Sequence, residues 1–369
     1  MNNPNGSDLG CGCGPKNIKK MDFRAVPSAG EIKINGKIFP VVSCKWSFGD
    51  QIGRIMVRTG MNRMNYAVKP GIYAVGDPDS KSNVFVSANY KLSFDILRRD
   101  LAAIDAWIFV IDTKGVNVWC SAGKGTFGTQ EIIKSVRETG LEDIVSHKTL
   151  ILPQLSAPGV SAHLVKRDSK FSVIYGPVRS ENIREFVQNG FKASEEMRQV
   201  RFNLFDRLAV SMLEAVLAAK IGLIVTLSAI AAAFVYKTVF HSSVLFSTAK
   251  ILIEAFWLGI FSGSIISTAL LPYIPFRSFS AKGAATGALL ALLVAVFGGI
   301  KPAYFNIISF ILISASVSAY VALNFTGSST YTSLSGVKKE LKYSLPVIIT
   351  CASAGLLVWL ADFCIKAAI

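Results

Sequence analysis

One cysteine stands where a buried strand hands over to a helix. The run Ala106-Trp-Ile-Phe-Val-Ile-Asp112 has the continuous apolar character of a strand covered on both faces, and Asn117-Val-Trp-Cys-Ser-Ala-Gly-Lys-Gly125 follows it, ahead of a helical stretch from about Thr129. That puts Cys120 on a short capping turn at a strand's carboxyl end, the edge at which open α/β sheets bind their ligands. A thiolate is a soft, strongly donating ligand, so the chemistry on offer is that of a soft metal. Trp119 offers a broad apolar surface, Gly123 and Gly125 allow close backbone approach, Lys124 adds a cation, and Ser121 and Ala122 are small. The same residues also read as plain packing, because a Cys beside a Trp at a strand end is commonly core.

The elements that must position this cysteine alternate from about Glu31 to Gly190. Short apolar runs at Asn83 to Val86, Ala106 to Ile111, Lys148 to Leu152 and Phe171 to Tyr175 read as strands, with helical stretches after Leu92, Gln130, Ser161 and Glu181. Strand, helix, strand with short loops means βαβ units and a mainly parallel sheet with helices on its faces. Lys33-Ile-Asn-Gly-Lys-Ile-Phe39 reads as a hairpin with Asn35-Gly36 as its turn. Roughly 150 residues suffice for a core, so this region is expected to fold as a domain, 29–192. Residues 1–28 are rich in Asn, Gly, Ser and Lys, carry Cys11-Gly-Cys13 and read as a flexible tail without the apolar core of a signal peptide.

Composition adds a membrane. At 369 residues, 51% hydrophobic and with mean hydropathy +0.44, the chain is too apolar for an ordinary soluble enzyme, and its long uncharged runs lie after Ala218. Five spans near the ~20 residues a bilayer core requires are expected at Ala218 to Tyr236, Ile251 to Leu271, Lys282 to Ile300, Ala303 to Asn324 and Ser344 to Cys364, making 218–369 a transmembrane domain. Between the two, 193–217 sets Arg198, Arg201 and Arg207 among Met197, Val200, Phe202, Leu204, Phe205 and Leu208, the pattern of an amphipathic linker helix on anionic headgroups or of a surface helix packed on the domain. Arg198, Arg201, Arg207, Arg277, Lys282, Lys338, Lys339 and Lys342 fall on one side of the spans; Lys237, Lys250, Lys301 and Lys366 fall on the other. The basic excess therefore places the N-terminal domain in the cytosol, at the inner membrane, and the C-terminus outside. Gly259-Ile-Phe-Ser-Gly263 and Gly283-Ala-Ala-Thr-Gly287 are close-packing motifs, and Glu254, one turn from Lys250, reads as half of an interface ion pair or as an intramembrane acid.

The net charge of +15 comes without a basic stripe interleaved with aromatics, so nucleic acid is not an expected partner. Six cysteines, Cys11, Cys13, Cys44, Cys120, Cys351 and Cys364, form no CxxC pair or cluster with iron-sulfur spacing, so electrons must come from elsewhere. Cys11 and Cys13 could relay a soft metal ion, or simply belong to the tail. His147 and His163 read as surface or core residues rather than ligands. No Walker loop, dinucleotide fingerprint, HExxH or nucleophile elbow occurs.

Asn117-Val-Trp-Cys-Ser-Ala-Gly-Lys124 resembles the cap-helix signature of the membrane-bound corrinoid protein of the microbial mercury-methylating pair, the HgcA family, in which the pattern runs Asn-(Val/Ile)-Trp-Cys-Ala-(Ala/Gly)-Gly-Lys. Ser121 stands where that pattern has Ala. The wider region, Val75 to Phe202, is similar to the corrinoid domain of the large subunit of the corrinoid iron-sulfur protein of acetyl-CoA synthesis, through Val84-Phe-Val-Ser-Ala-Asn-Tyr-Lys-Leu-Ser-Phe-Asp95, Leu152-Pro-Gln-Leu-Ser-Ala-Pro-Gly159 and Tyr175-Gly-Pro-Val-Arg179. Ser87 stands where Thr is common.

The resemblance implies an α/β, Rossmann-like corrinoid-binding domain followed by an α-helical transmembrane domain of five spans. It makes Cys120 the lower axial ligand of the corrinoid's cobalt, with Asn117, Val118, Trp119, Ser121, Ala122, Gly123 and Lys124 beneath the ring. Further contacts are implied for Ser87, Asn89 and Ser93, for Gln154 and Gly159, and for Tyr175, Gly176, Pro177 and Ser180; each could equally be turn chemistry, and Ser161 and Ser180 have capping character. The implied reaction takes a methyl group onto Co(I) from a methylated pterin-type donor, directly or through its methyltransferase, and delivers it from methyl-Co(III) to Hg(II). A ferredoxin-like protein with two [4Fe-4S] clusters would supply the reducing electrons. Two other readings stay open: a membrane-tethered corrinoid methyl carrier with a different acceptor, and a transporter or sensor with a cytosolic regulatory domain.

Overall fold

A computed structural model describes residues 23–297, 304–328 and 334–368 of the chain. Cys11, Cys13, Lys301 and the ends of the third and fourth expected spans at Ile300 and Ala303 lie outside the described residues. The described residues divide into two compact units, a sheet-bearing one made of residues up to Val57 and Met61–Arg201, and a helical one made of Phe202 onward together with Arg58–Gly60.

In the first unit, Asn35 (φ 49°) and Gly36 (φ 79°) make the expected tight turn of a hairpin between β1 (Ser28–Ile34) and β2 (Lys37–Val42), both turn residues left-handed as such a turn requires. After α1 (Phe48–Arg58) come β3 (Gly71–Val75), β4 (Asn83–Ala88), α2 (Lys91–Asp100), β5 (Ala106–Ile111), α3 (Val118–Lys124), α4 (Thr129–Thr139), β6 (Thr149–Leu152), α5 (Ala162–Ser169), β7 (Ser172–Tyr175), α6 (Ile183–Gln188) and α7 (Glu195–Arg198). The seven strands form one sheet in the order β1-β2-β3-β5-β4-β6-β7. It is mixed: β4 runs parallel to both β5 and β6, and β6 parallel to β7, but β3 lies antiparallel to β5. The sequence reading passes over β3, whose five residues sit between Pro70 and Gly76 and look like a loop until β5 pairs with them.

Alternation along β5 sends its side chains to two cores. Trp107, Phe109 and Ile111 pack with Phe127, Ile132 and Val165 on the face covered by α4 and α5. Ala106, Ile108 and Val110 pack with Phe94, Leu97, Ile183 and Phe186 on the face covered by α2 and α6. The helix after β4 therefore lies on one face and the helix after β6 on the other, although β4 and β6 are neighbours. Between their carboxyl ends the connections leave to opposite faces, which makes this the sheet's topological switch point.

Among the described residues, the second unit holds five helices long and apolar enough to cross a membrane. They are α8 (Leu204–Phe240), α9 (Val244–Phe261) continued through a π-helical turn at Ser262–Ile266 into α10 (Ser267–Ala269), α11 (Phe279–Phe297), α12 (Tyr304–Phe325) and α13 (Leu334–Ala368). Both glycine motifs press onto α12. A Cβ on Gly259 would sit 2.8 Å from the Ser314 carbonyl oxygen, and one on Gly263 or Gly283 2.5 Å from the Ser318 carbonyl oxygen.

The stretch 193–217 is not the single linker helix expected. Asn203 accepts from the Asp206 N–H at 2.9 Å and Asp206 reciprocates, a capping box that starts α8 afresh after α7 has ended. Nor does Arg207 lie among headgroups; it is buried, and its guanidinium donates to the Ala269 carbonyl at 3.0 Å, where the carbonyl end of α10 attracts a cation. Glu254 faces Lys250 at 3.7 Å on an exposed surface, as the ion-pair reading had it. Among the described residues of these helices the buried acid is instead Asp362, paired with Lys366 one turn on in α13.

Candidate functional site

Four segments converge on the switch point. Ser87 ends β4, Leu152 and Pro153 end β6, Gly176 and Pro177 follow β7, and Asn117, Val118 and Trp119 open the helix that follows β5. Together with Ser93, Ile96, Leu97, Ser180 and Ile183 they line an open cavity of about 360 Å³. Every lining side chain is neutral, and most are apolar.

The helix beside this cavity is fixed from its first residue. Asn89, fully buried, accepts from the N–H groups of Thr113 (3.1 Å) and Gly115 (2.9 Å) and donates to Asp112 (3.1 Å), so the end of β4 shapes the loop that leaves β5. That loop delivers Asn117 in extended conformation, where its side chain accepts from the Cys120 N–H at 2.9 Å and caps α3. Gly125 ends the helix with a left-handed φ of 78°. Beneath, Gly159 meets Ala122 so closely that a Cβ there would lie 2.9 Å from the Ala122 carbonyl oxygen and 2.5 Å from that of Phe127.

The expected site residues other than Gln154 sort into three groups. Ser87, Ser93, Asn117, Val118, Trp119, Gly176, Pro177 and Ser180 line the cavity, with Trp119 44% exposed. Cys120 sits one position beyond, half-buried and outside the lining; Gly123 and Lys124 are exposed on the same short helix. The others are structural in the geometry observed. Asn89 is consumed by its loop, and Ser121, fully buried, donates to the Asn117 carbonyl at 2.6 Å. Ala122 and Gly159 are each other's packing surface, and the Tyr175 hydroxyl donates to the Val160 carbonyl at 2.7 Å. Burial raises the pKa of that phenol, which stays neutral. These five stay out of the cavity lining, Ser121 and Ala122 because they lie on the side of α3 that packs on the domain and Tyr175 because its side chain packs against the sheet's core.

Gln154 is a separate case. Its side-chain oxygen is buried without a hydrogen-bond partner, an acceptor waiting at the same sheet edge. Ser180 donates to Asp100 while lining the cavity, and Ser161 begins α5 without a side-chain cap, contrary to its capping character. His147 is held between the Ser82 carbonyl and the Thr149 N–H. Among the described residues no group of three or more His, Cys, Asp or Glu side chains could hold a metal ion. A metal at this edge would depend on one protein ligand and on a cofactor that supplies the rest. Neutral walls, serine hydroxyls on the rim and the Gln154 acceptor suit a flat, amide-fringed macrocycle such as a corrinoid. Phe85, Ile96, Leu155 and Val178, all apolar lining, escaped sequence reasoning because their pattern is that of ordinary core.

Behind the site, α2 is anchored by a closed ionic network. Lys91 reaches Asp50 at 2.6 Å and Asp95 at 2.7 Å; Arg98 reaches Asp50 at 2.8 Å and Asp95 at 2.9 Å, with all four side chains buried. Burial alone would raise the Asp50 pKa, but hydrogen bonds from Lys91 and Ser47 hold it at about 2.

Residues 59–187 match the family model described as CO dehydrogenase/acetyl-CoA synthase delta subunit. Among individual proteins, the chain is 35% identical over 127 residues to the acetyl-CoA decarbonylase/synthase complex subunit gamma of Methanopyrus kandleri, covering 33% of this chain and 26% of that one. It is 30% identical over 131 residues to the corresponding subunit of Methanocaldococcus jannaschii, covering 35% and 26%. The chain thus spans about a quarter of the length of the curated relatives it matches, and the family-model match falls almost wholly in the sheet-bearing unit.

Proposed function

We propose that this chain binds a corrinoid at the carboxyl edge of its sheet, with Cys120 as the lower axial ligand of cobalt, and uses it to transfer a methyl group to Hg(II). The observation that carries the reading is the pairing of a neutral cavity at the sheet's switch point with a separately capped helix whose third residue is Cys120. Similarity to acetyl-CoA decarbonylase/synthase subunits supports the cofactor; the Asn117–Lys124 motif supports the acceptor.

The bound corrinoid supplies a cobalt centre that takes up and gives away a methyl group. Residues of this chain set its surroundings. Asn117 and Gly125 hold α3 rigid at both ends, which fixes where the Cys120 sulfur lies. Trp119 and the apolar walls cover the ring and exclude water, while Ser87, Ser93, Ser180 and Gln154 offer hydrogen bonds to its amide fringe. Cys120, as a thiolate, would hold the cobalt and enrich it in electron density, which would suit transfer of a methyl group to a soft electrophilic cation.

The proposed methyl source is a methylated pterin-type donor or its methyltransferase, and the proposed reductant is a ferredoxin-like protein with two [4Fe-4S] clusters. The five apolar helices support a membrane anchor, for which we propose the inner membrane with the sheet-bearing unit in the cytosol. Anaerobic protein loaded with corrinoid, methyl donor and reductant should form methylmercury from Hg(II), and Cys120→Ala should not. Equal product from both proteins would contradict the proposal. The matched relatives favour one second reading, a membrane-tethered methyl carrier with a different acceptor; a methyl group that remains on the loaded protein when Hg(II) is added would select it.

A further inference from the structure

Helix α1 has two opposed faces. Asp50, Gly53 and Val57 are buried on one, Asp50 inside the ionic network and Gly53 so close to Tyr66 that a Cβ would overlap its hydroxyl. On the other, Phe48, Ile52 and Ile55, spaced i, i+4 and i+7, are 81%, 41% and 54% exposed. A phenylalanine so exposed on a helix this firmly anchored needs a partner. The flank of this stripe is basic: Arg54 stacks over Trp46 at 5.0 Å, and Lys45 is exposed just before the helix. The helix has one acid, Asp50, and it is sequestered on the buried side.

We propose that α1 is an interfacial helix that inserts Phe48, Ile52 and Ile55 into an anionic lipid surface, with Lys45 and Arg54 against the headgroups. An apolar stripe edged with cations and free of acids matches such a surface in both hydrophobicity and charge. A protein groove that took the same stripe would have to supply acidic partners, whereas the membrane that the five apolar helices imply is already present. The inference rests on the membrane reading of those helices. It adds a second attachment, on the sheet-bearing unit itself, that restrains how the cofactor edge faces its partners.

The test uses the full chain in nanodiscs containing anionic lipid, with a nitroxide at Phe48→Cys and the other cysteines replaced by serine. A second nitroxide protein carries Leu289→Cys, an exposed position on α11. Power-saturation EPR with oxygen and with a water-soluble nickel chelate reads the depth of each label. The proposal expects the label at 48 to favour oxygen over nickel as the label at 289 does, and to lose that preference when the lipid is made neutral. Strong nickel access at 48 overturns it, and so does shielding from both reagents, which would mean that protein covers the stripe. If the label at 289 is itself open to nickel, the membrane reading fails instead.

Discussion

Cys120 and Ser121 are neighbours with opposite surroundings, the first half-buried next to the cavity and the second sealed against the helix's own carbonyls. Ser121 is also where this chain departs from the motif it resembles. Its hydroxyl bonds only to the carbonyls of Asn117 and Val118, and it does not line the cavity, so Ser121→Ala removes a local bond and leaves the site intact. Its expected cost is about 1 kcal/mol or less, with corrinoid retention unchanged, measured by chemical denaturation and by cofactor stoichiometry after gel filtration. Asp50 offers a pH test. Its folded pKa of about 2 lies below the ordinary 3.8, so the stability it contributes is complete above that value and is lost as pH falls toward 2. Denaturation midpoints of the wild type should decline over that interval, and the decline should shrink in Asp50→Asn.

The cap helix is short, and its two ends do much of the work of holding it. Asn117→Ala should cost about 1 kcal/mol and, by loosening the turn that carries Cys120, should weaken corrinoid retention more than it weakens the fold. Gly159→Ala is expected to act from the other side. Its Cβ would be driven into the backbone of Ala122 and Phe127, at a cost of about 1–3 kcal/mol and with α3 displaced. Much of this element was legible in the sequence: the buried strand, the Asn–Gly span and the position of the cysteine all follow from local pattern. What was not legible was the role of side chains whose partners are distant in sequence. Asn89 looked like a cofactor contact because it ends a strand, but it shapes the loop at 112–115. Strand β3 and helix α1 were missed for the same reason, since one is recognised by its pairing with β5 and the other by an ion pair reaching Lys91 and Arg98.

Each compact unit has its own fastening. In the sheet-bearing unit the four-charge network ties α1 to α2, and Lys91→Met would leave two buried carboxylates short of a partner, a loss of about 3–5 kcal/mol readable by thermal or chemical unfolding. In the helical unit the glycines that touch α12 are the fastening, so Gly283→Leu should force α11 and α12 apart and lower thermal stability in detergent, while an exposed change such as Leu289→Ala should not. The five apolar helices and both glycine motifs followed from hydropathy and spacing. The buried position of Arg207 did not, because a charge near the end of an apolar run reads as interfacial until its partner on another helix is known, and Asp362, paired with Lys366 on its own helix, was passed over.

The central claim, a cobalt–sulfur bond at Cys120, is tested most directly by absorption and EPR spectroscopy of the anaerobically purified, corrinoid-loaded protein alongside Cys120→Ala. The account predicts a thiolate-to-cobalt spectral signature in the wild type that the variant lacks, with the fold unchanged by circular dichroism. Identical spectra from the two proteins, both loaded with corrinoid, would contradict it.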